Sequence, residues 1–493
     1  MKGLTEKIIR GGAARMLAQA ANFVVRAGSL MLLARLLDPK DFGLVGMVTA
    51  FTGVLSLFRD FGLSTATVQR AEVSDDQMST LFWVNVAVGV ALTLIALASA
   101  PMIARFYGEP RLFALMALLA VGFLFNALGV QHSALLQRQM RFTTLAVVNI
   151  AGLIVSSGAA IVMARVGYGY WALVIMTIVQ PLVSTIGMWL VVAWVPGRPR
   201  RGAGLRSMMK FGGTITLNSL IVYIAYNLEK VLLGRFWGVD AIGIYGRAYQ
   251  LVGIPTENLN TAVGEVAFSA LSRVQNDRER IRNYFLKGYS LVVALTIPIT
   301  LVSAVFAKEA ILVFLGAKWS AVVPIFRLLT PTIIIFAMIN PFAWLLFAIG
   351  DVGRSLKIAL VIAPLVIVGY LVGLPFGPTG VALGYSVAMA LWVVPHILWC
   401  VHGTPVSFGD VVRAVGRPLL SGIVAAIPAL LYQLADVHGD SPLIKLGIGA
   451  SLFVATYAGM LLYVMGQKRF YVSLVRGIKG PTVAATDDLA VTT

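Results

Sequence analysis

The chain has 493 residues, of which 59% are hydrophobic and only 12% are charged, and its mean hydropathy is +0.87. A soluble domain of this length cannot bury so much apolar surface, so lipid must be the solvent for most of the side chains. The single cysteine, Cys400, excludes an internal disulfide framework and a cysteine-rich metal site.

Apolar stretches recur along the whole chain, and each is long enough to cross a hydrocarbon core of roughly 30 Å. Their residue choice is helical and lacks the alternation typical of an outer-membrane barrel. We therefore expect an all-α integral membrane protein of about fourteen transmembrane helices. The predicted spans cover residues 11–37, 42–63, 78–103, 112–136, 143–165, 169–195, 211–236, 240–271, 284–306, 322–350, 355–375, 379–402, 411–434 and 442–466.

The distribution of basic residues predicts the orientation of these spans. Lys and Arg in short loops accumulate on the cytoplasmic face, and one side of the predicted topology carries about three times as many of them as the other. We expect both termini to be cytoplasmic. The net charge of +18 is then mostly a signal of topology, and no nucleic-acid partner needs to be invoked. The loop at 307–321 is expected to form a short amphipathic helix at the membrane interface.

The sequence repeats itself at an offset of 200 residues. Gly12 aligns with Gly212, Arg35 with Arg235, and a spaced set of glycines follows in both copies, namely Gly43, Gly46 and Gly53 with Gly243, Gly246 and Gly253. Six spans separate the copies, so the two halves have the same orientation, which favours alternating access about an axis along the membrane normal. The predicted organisation is an N-terminal lobe (1–195), a basic cytoplasmic linker (196–210), a C-terminal lobe (211–402), two further spans (403–466) and a cytoplasmic tail (467–493).

The first span places polar residues along a single helical face. These are Arg15, Gln19, Asn22, Arg26 and Ser29, at steps of four, three, four and three. An arginine at a helix centre costs roughly 2.5–3.5 kcal/mol, so this face should point into protein or a water-filled cavity. Arg15, near the helix end, could equally extend its charge to the headgroups.

Spans 7 and 8 carry a second set of intramembrane polar residues. Span 7 has Tyr223, Tyr226 and Lys230 on one face, and span 8 has Arg247, Gln250, Glu257 and Glu265 along one stripe. Glu257 is expected either to pair with Arg26 or Arg247 or to act, with Glu265, as a protonatable coupling group. Arg327 lies near the outer end of span 10.

Cations outnumber acids within the spans, so the cavity should attract anions. Guanidinium groups offer planar, bidentate donors that suit phosphate. A diphosphate head group is therefore a natural ligand, and chloride or an organic acid would also fit. We expect Gln19, Asn22, Tyr223, Tyr226 and Gln250 to line the cavity.

Several kinds of chemistry are not indicated. The sequence holds no G-x-x-x-x-G-K-[ST] phosphate loop, so we expect no ATP hydrolysis by that route and no cofactor. Transport would then draw on a proton or other ion gradient. The four histidines have no ligand spacing, and we expect no metal site and no catalytic residues.

Six stretches, in order, resemble a known family: LLARLLDPKDFGLVGM (32–47), LLQRQMRF (135–142), GYGYWALV (167–174), YGRAYQLVGIP (245–255), ALSRVQNDRERIRNYFLKGY (270–289) and LLFAIGDVGRS (345–355). They are similar to Wzx-type polysaccharide flippases of the multidrug/oligosaccharidyl-lipid/polysaccharide superfamily, in the branch of colanic-acid-like lipopolysaccharide biosynthesis proteins.

The resemblance implies two six-helix lobes around a central cationic cavity, with two added C-terminal helices. Similar flippases use basic residues that face this cavity, and the positions here that fit a substrate-binding role are Arg15, Arg26, Lys230, Arg247 and Arg327. It implies a non-enzymatic, secondary-type transporter in the bacterial inner membrane. The implied substrate is undecaprenyl-diphosphate-linked oligosaccharide, the implied process is surface polysaccharide biosynthesis, and the implied partners are membrane lipids, a polymerase and export machinery. A lipid II flippase, a multidrug exporter and, from another class, a membrane polysaccharide polymerase or ligase are the alternatives.

Overall fold

The computed structural model describes residues 21–59, 74–199, 205–275, 277–435 and 441–478. Over these ranges the regular structure is helical, with no strand, which confirms the predicted all-α membrane fold. The first half contains α1 (21–36), α2 (Pro39–Leu57), α3 (Asp75–Tyr107), α4 (Arg111–Arg138), α5 (Phe142–Arg165) and α6 (Trp171–Val191).

Short turns with identifiable caps join these helices. Asp38 caps α2 together with Asp41. Ser74 caps α3 by accepting a hydrogen bond from the backbone N–H of Gln77. Gly108 ends α3 in the left-handed conformation, at φ 68°, which glycine adopts without steric cost.

Helix α7 (Leu205–Arg273) consists of two arms. They meet at Gly238, whose φ of 80° and ψ of −168° interrupt the helix. The arms correspond to predicted spans 7 and 8, and the glycine supplies the turn between them.

The remaining helices follow in chain order. They are α8 (Arg278–Val305), α9 (Ala307–Phe314), α10 (Val322–Leu329), α11 (Pro331–Ile339), α12 (Pro341–Ala348), α13 (Val352–Gly373), α14 (Gly377–Val401), α15 (Phe408–Leu434), α16 (Pro442–Gly459) and α17 (Lys468–Ile478). Predicted span 10 is divided into α10, α11 and α12, because Pro331 and Pro341 lack the N–H that would continue the preceding helix.

Ten described helical stretches are long and apolar enough to cross a membrane. They coincide with predicted spans 2–6 and 9–14, and spans 11 and 12 fall in one stretch, Gly353–Val401. The described parts of spans 1, 7 and 8 are helical as well, although they are not among the ten.

The described residues divide into two compact units. Unit 1 takes its residues from 1–247, 314–322 and 359–384, and unit 2 from 248–313, 323–358 and 385–493. In unit 2, α15 packs against α8 and α16. The Tyr457 hydroxyl donates to the carbonyl oxygen of Ala294 at 2.8 Å, and the Arg282 guanidinium donates two hydrogen bonds to the Asp410 carboxylate at 2.6 and 2.8 Å. Each of the last two predicted spans is therefore joined to α8 by a side-chain hydrogen bond.

The LLFAIGDVGRS motif has a structural role in unit 2. Gly350 turns the chain at φ 80°, and Asp351 accepts from the backbone N–H of Arg354 at 3.2 Å. The Arg354 guanidinium donates to the carbonyl oxygens of Trp399 and His402 at 3.2 and 2.6 Å. These carbonyls belong to the end of α14, where the helix leaves acceptors without a backbone donor. The motif thus begins α13 and caps α14.

Candidate functional site

The polar face of α1 is open at one end and covered at the other. Along this face Asn22 is half-buried and Arg26 is exposed, whereas Ser29, Leu33 and Leu37 are buried. Arg26 and Leu33 are seven residues apart and so lie at nearly the same helical angle, yet Arg26 is exposed and Leu33 is buried. The polar face of α1 is therefore covered by other residues toward residue 37 and exposed around Arg26.

The covered end coincides with a contact between two equivalent positions of the repeat. A Cβ at Gly43 would overlap the carbonyl oxygen of Val239, and a Cβ at Gly243 would overlap the carbonyl oxygen of Pro39. The Lys40 amine lies 3.9 Å from the Asp240 carboxylate. Each residue and its partner differ by about 200 in number, so the start of α2 and the second arm of α7 meet symmetrically. Only glycine permits backbones this close.

Arg247 is held beside this contact by an aromatic stack. Its guanidinium lies 3.9 Å from the centre of the Phe42 ring, and Phe42 packs edge-on against Trp319 at 5.3 Å. The Trp319 indole N–H donates to the carbonyl oxygen of Ala34 at 2.7 Å. Cation–π contact stabilises a positive charge in an apolar setting, so Arg247 keeps its charge next to the end of α1.

This stack also places the predicted interfacial segment. Trp319 is fully buried, as are Glu309 and Ile311 of α9. The short helix exists as expected, but the segment packs against protein more than the amphipathic pattern indicated. The Glu309 carboxylate accepts a hydrogen bond from the Gln433 amide at 3.0 Å.

The first arm of α7 presents the other predicted cavity residues. The Tyr223 hydroxyl donates to the carbonyl oxygen of Thr49 at 3.2 Å, and the Lys230 amine donates to the Asn227 side chain at 2.6 Å. Tyr226 is half-buried. Tyr223 therefore joins α7 to α2, and Lys230 is oriented by a neighbour on its own helix.

Arg26 and Arg247 differ in their distance from the contact between the repeated segments. With a rise of about 1.5 Å per residue, the Arg26 backbone is about 15 Å before the end of α1. The Arg247 guanidinium stacks on Phe42, in the first turn of α2, and so lies close to the turn that joins α1 to α2.

Glu229 is a candidate functional residue that the sequence interpretation did not include among the site residues. Its side chain is fully buried, and within the described part of the chain neither carboxyl oxygen has a hydrogen-bond partner. A buried carboxyl without hydrogen bonds is costly, and inside a membrane it is a functional-site candidate. The only sequence signal was its position beside Lys230.

The other predicted residues are distributed as follows. Arg15 and Gln19 lie outside the described residues, and the side chains of Glu257 and Glu265, on the second arm of α7, also lie outside the description. Gln250 and Arg327 belong to unit 2 and are exposed. The assignment of these residues to one binding site stays a prediction.

The fold and the intramembrane polar faces define a multi-pass helical membrane protein, with glycine-mediated packing between two repeated segments. Its fold is similar to that of the lipid II flippase MurJ in an inward closed conformation, with a TM-score of 0.74 and 16% identity over 94% of this chain and all of that chain. Two curated relatives are lipopolysaccharide biosynthesis protein WzxC of Escherichia coli strain K12 and succinoglycan biosynthesis transport protein ExoT of Rhizobium meliloti strain 1021. WzxC is 27% identical over 78% of this chain and 78% of its own length. ExoT is 24% identical over 64% of each chain.

A family model described as polysaccharide biosynthesis protein matches residues 32–324. The chain belongs to this family. The match includes α2, α7 and the segment that carries Trp319, which contact one another beside the end of α1.

Proposed function

We propose that this protein is a flippase that moves polyisoprenyl-diphosphate-linked oligosaccharide from the inner to the outer leaflet of the bacterial cytoplasmic membrane, for surface polysaccharide biosynthesis. The observation that carries the proposal is the polar face of α1, open around Arg26 and closed toward residue 37. We infer that this face borders a crevice that is closed at one end, as alternating access requires of one state. Membership of the polysaccharide biosynthesis family supports a lipid-linked saccharide as the cargo.

The charges of the crevice support a diphosphate as the group that is bound. Arg26 is exposed on α1, and Lys230 and Arg247 lie on the two arms of α7. Guanidinium groups bind phosphate oxygens bidentately, and desolvated cations attract anions strongly in a site of low dielectric. The lipid tail can remain in the bilayer while the charged head group crosses.

The proposal includes an energy source and an orientation. We infer secondary transport, driven by an ion gradient or by consumption of the product outside, with both termini in the cytoplasm. Glu229 supports proton coupling, because a buried carboxyl can exchange a proton when the surrounding helices open. A polymerase on the outer face would be the partner that consumes the product.

The test is leaflet transfer by the purified full-length protein in proteoliposomes. A polyisoprenyl-diphosphate oligosaccharide is placed in one leaflet, and its appearance in the other is followed by lectin capture, with and without a pH gradient. We expect transfer by the wild type and at least about tenfold slower transfer by Arg26→Gln, since a charge-assisted contact contributes about 1.5–3 kcal/mol. Arg26→Lys should retain part of the activity.

The matched control is Arg165→Gln, which removes an exposed arginine at the end of α5 and should transfer like the wild type. Equal transfer by Arg26→Gln would remove the binding role of that residue. Absence of transfer by the wild type under every gradient would overturn the function. Faster transfer of lipid II than of the oligosaccharide lipid would assign the protein to peptidoglycan synthesis instead.

A further inference from the structure

A polar cavity lies within unit 1. It has a volume of about 420 Å³ and is bordered by α4, α5 and α6, with Arg59 after the end of α2. This volume falls in the range of about 300–1,000 Å³ found for small-molecule sites. Those sites are usually lined by apolar and aromatic side chains, whereas this one has mainly amide and hydroxyl groups, from Ser133, Asn149, Thr177, Gln180 and Ser184.

The sequence of α6 explains how the cavity forms. Thr177, Gln180 and Ser184 follow at steps of three and four, so they share one helical face. Gly152 of α5 lets this face approach, because a Cβ there would lie 3.1 Å from the Gln180 carbonyl oxygen. Pro181 lies inside α6 and cannot donate to the carbonyl of Thr177, which leaves an acceptor at the cavity wall.

One positive charge dominates the cavity. The Arg59 guanidinium donates to the Asn126 side chain at 3.2 Å. Its Nε atom is buried, and the structure, over the residues that it describes, gives this atom no hydrogen-bond partner. The described lining includes no Asp or Glu. A buried guanidinium with an unused donor is stabilised by an anion.

The lining offers acceptors as well as donors. The amides of Asn149 and Gln180 each carry two N–H donors and a carbonyl acceptor, and the Thr177 carbonyl adds another acceptor. A ligand that matches this set has several hydroxyl groups and a single negative charge.

We propose that this cavity binds one sugar unit of the cargo and that the unit carries a carboxylate, as a uronic acid does. The inference rests on the proposed function and specifies its substrate class. One guanidinium balances one carboxylate, whereas a diphosphate carries more charge and suits the several cations of α1 and α7. Among the described residues that line the cavity no acidic side chain balances the Arg59 charge, and a neutral sugar would not balance it either.

The test measures binding of free ligands to the full-length protein in lipid nanodiscs by saturation-transfer NMR. The probes are glucuronate, glucose and inorganic pyrophosphate. We expect glucuronate to bind about tenfold or more tightly than glucose, and Arg59→Gln to abolish this preference. Gln180→Leu should weaken the binding of both sugars, and Arg165→Gln should bind all three probes like the wild type. Thermal unfolding checks that each variant is folded. If Arg59→Gln does not fold, Arg59→Lys, which keeps the charge, provides a second variant.

Equal affinity for glucose and glucuronate would overturn the inference, as would a glucuronate preference that survives in Arg59→Gln. Pyrophosphate binding that is tighter than glucuronate binding and depends on Arg59 would assign the cavity to the diphosphate and overturn it too. The leaflet-transfer assay separates the two proposals. Transfer without Arg59-dependent glucuronate binding refutes the inference alone, and glucuronate binding without any transfer refutes the flippase function.

Discussion

Gly243→Ala should weaken the contact that closes the crevice. A Cβ at this position would overlap the Pro39 carbonyl oxygen and lie 2.8 Å from the carbonyl carbon, and the backbone nitrogen of Gly43 is 3.3 Å away. All these atoms belong to the backbone, so no side-chain rotation can relieve the overlap. The start of α2 and the second arm of α7 must separate.

The size of the effect follows from the cost of overpacking. Adding a methyl group to a close-packed contact costs about 1–3 kcal/mol. Since about 1.4 kcal/mol corresponds to a factor of ten, the ratio of joined to separated forms should fall by about 5-fold to 150-fold. If the contact forms once in each transport cycle, leaflet transfer should fall as well.

The contact can be measured with cysteines in place of Lys40 and Asp240, whose charged atoms are 3.9 Å apart. On a cysteine-free background, a short thiol cross-linker should join them efficiently in the parent protein and poorly in Gly243→Ala. Alanine substitutions at two other glycines of the same repeat provide comparisons, because their Cβ atoms would meet less. A Cβ at Gly246 meets nothing within 4 Å, and one at Gly46 meets a flexible methyl of Ile242 at 2.7 Å.

Gly246→Ala should therefore cross-link like the parent, and Gly46→Ala should lie between it and Gly243→Ala. Cross-linking in Gly243→Ala as efficient as in Gly246→Ala would refute the reasoning. Loss of cross-linking in both would show that the measurement reports helix perturbation in general.

Three further predictions concern the rest of the chain. Arg354→Ala removes the donor to the last carbonyls of α14 and should cost about 1–3 kcal/mol, seen as a lower midpoint of thermal unfolding; an unchanged midpoint would contradict the capping role. The Arg282 guanidinium lowers the pKa of the Asp410 carboxyl below its usual range. The pair therefore stabilises the fold fully at pH values above the unfolded-state pKa of about 4. This stabilisation is lost as the pH falls through the lowered folded-state pKa. Wild type should thus lose more stability on acidification in that window than Asp410→Asn, and parallel pH profiles would count against the pair. In a cysteine-free background, an impermeant maleimide should label Tyr168→Cys in intact cells and Met140→Cys only after permeabilisation; the reverse pattern would invert the predicted topology.

The helical spans could be predicted because hydropathy and length are local properties. A stretch such as 143–165 must cross the bilayer as a helix whatever its neighbours, since lipid cannot satisfy exposed backbone groups. The same holds for the turn at Gly238, which the repeat places opposite the turn near residue 38. The division of span 10 at Pro331 and Pro341 was not predicted, because a hydropathy pattern does not reveal it.

The candidate site was predictable only in part. The face of α1 that carries Asn22 and Arg26 follows from helical periodicity. Helical periodicity does not show which end of that face is covered. The covered end depends on the contact between Gly43 and Gly243, which are about 200 residues apart in the chain. Sequence spacing likewise cannot place Phe42 under Arg247.

The sequence by itself determined the solvent of this protein, its helical class, its internal repeat and the surplus of positive charge within its spans, because each of these depends on residue type and short-range order. Only the tertiary structure decided that the polar face of α1 is covered toward residue 37, that Glu229 is fully buried, and that Arg59 borders a cavity with amides of α5 and α6. These features depend on which helix faces meet, and in a membrane the faces are selected by close packing of small residues and by polar contacts more than by hydrophobicity.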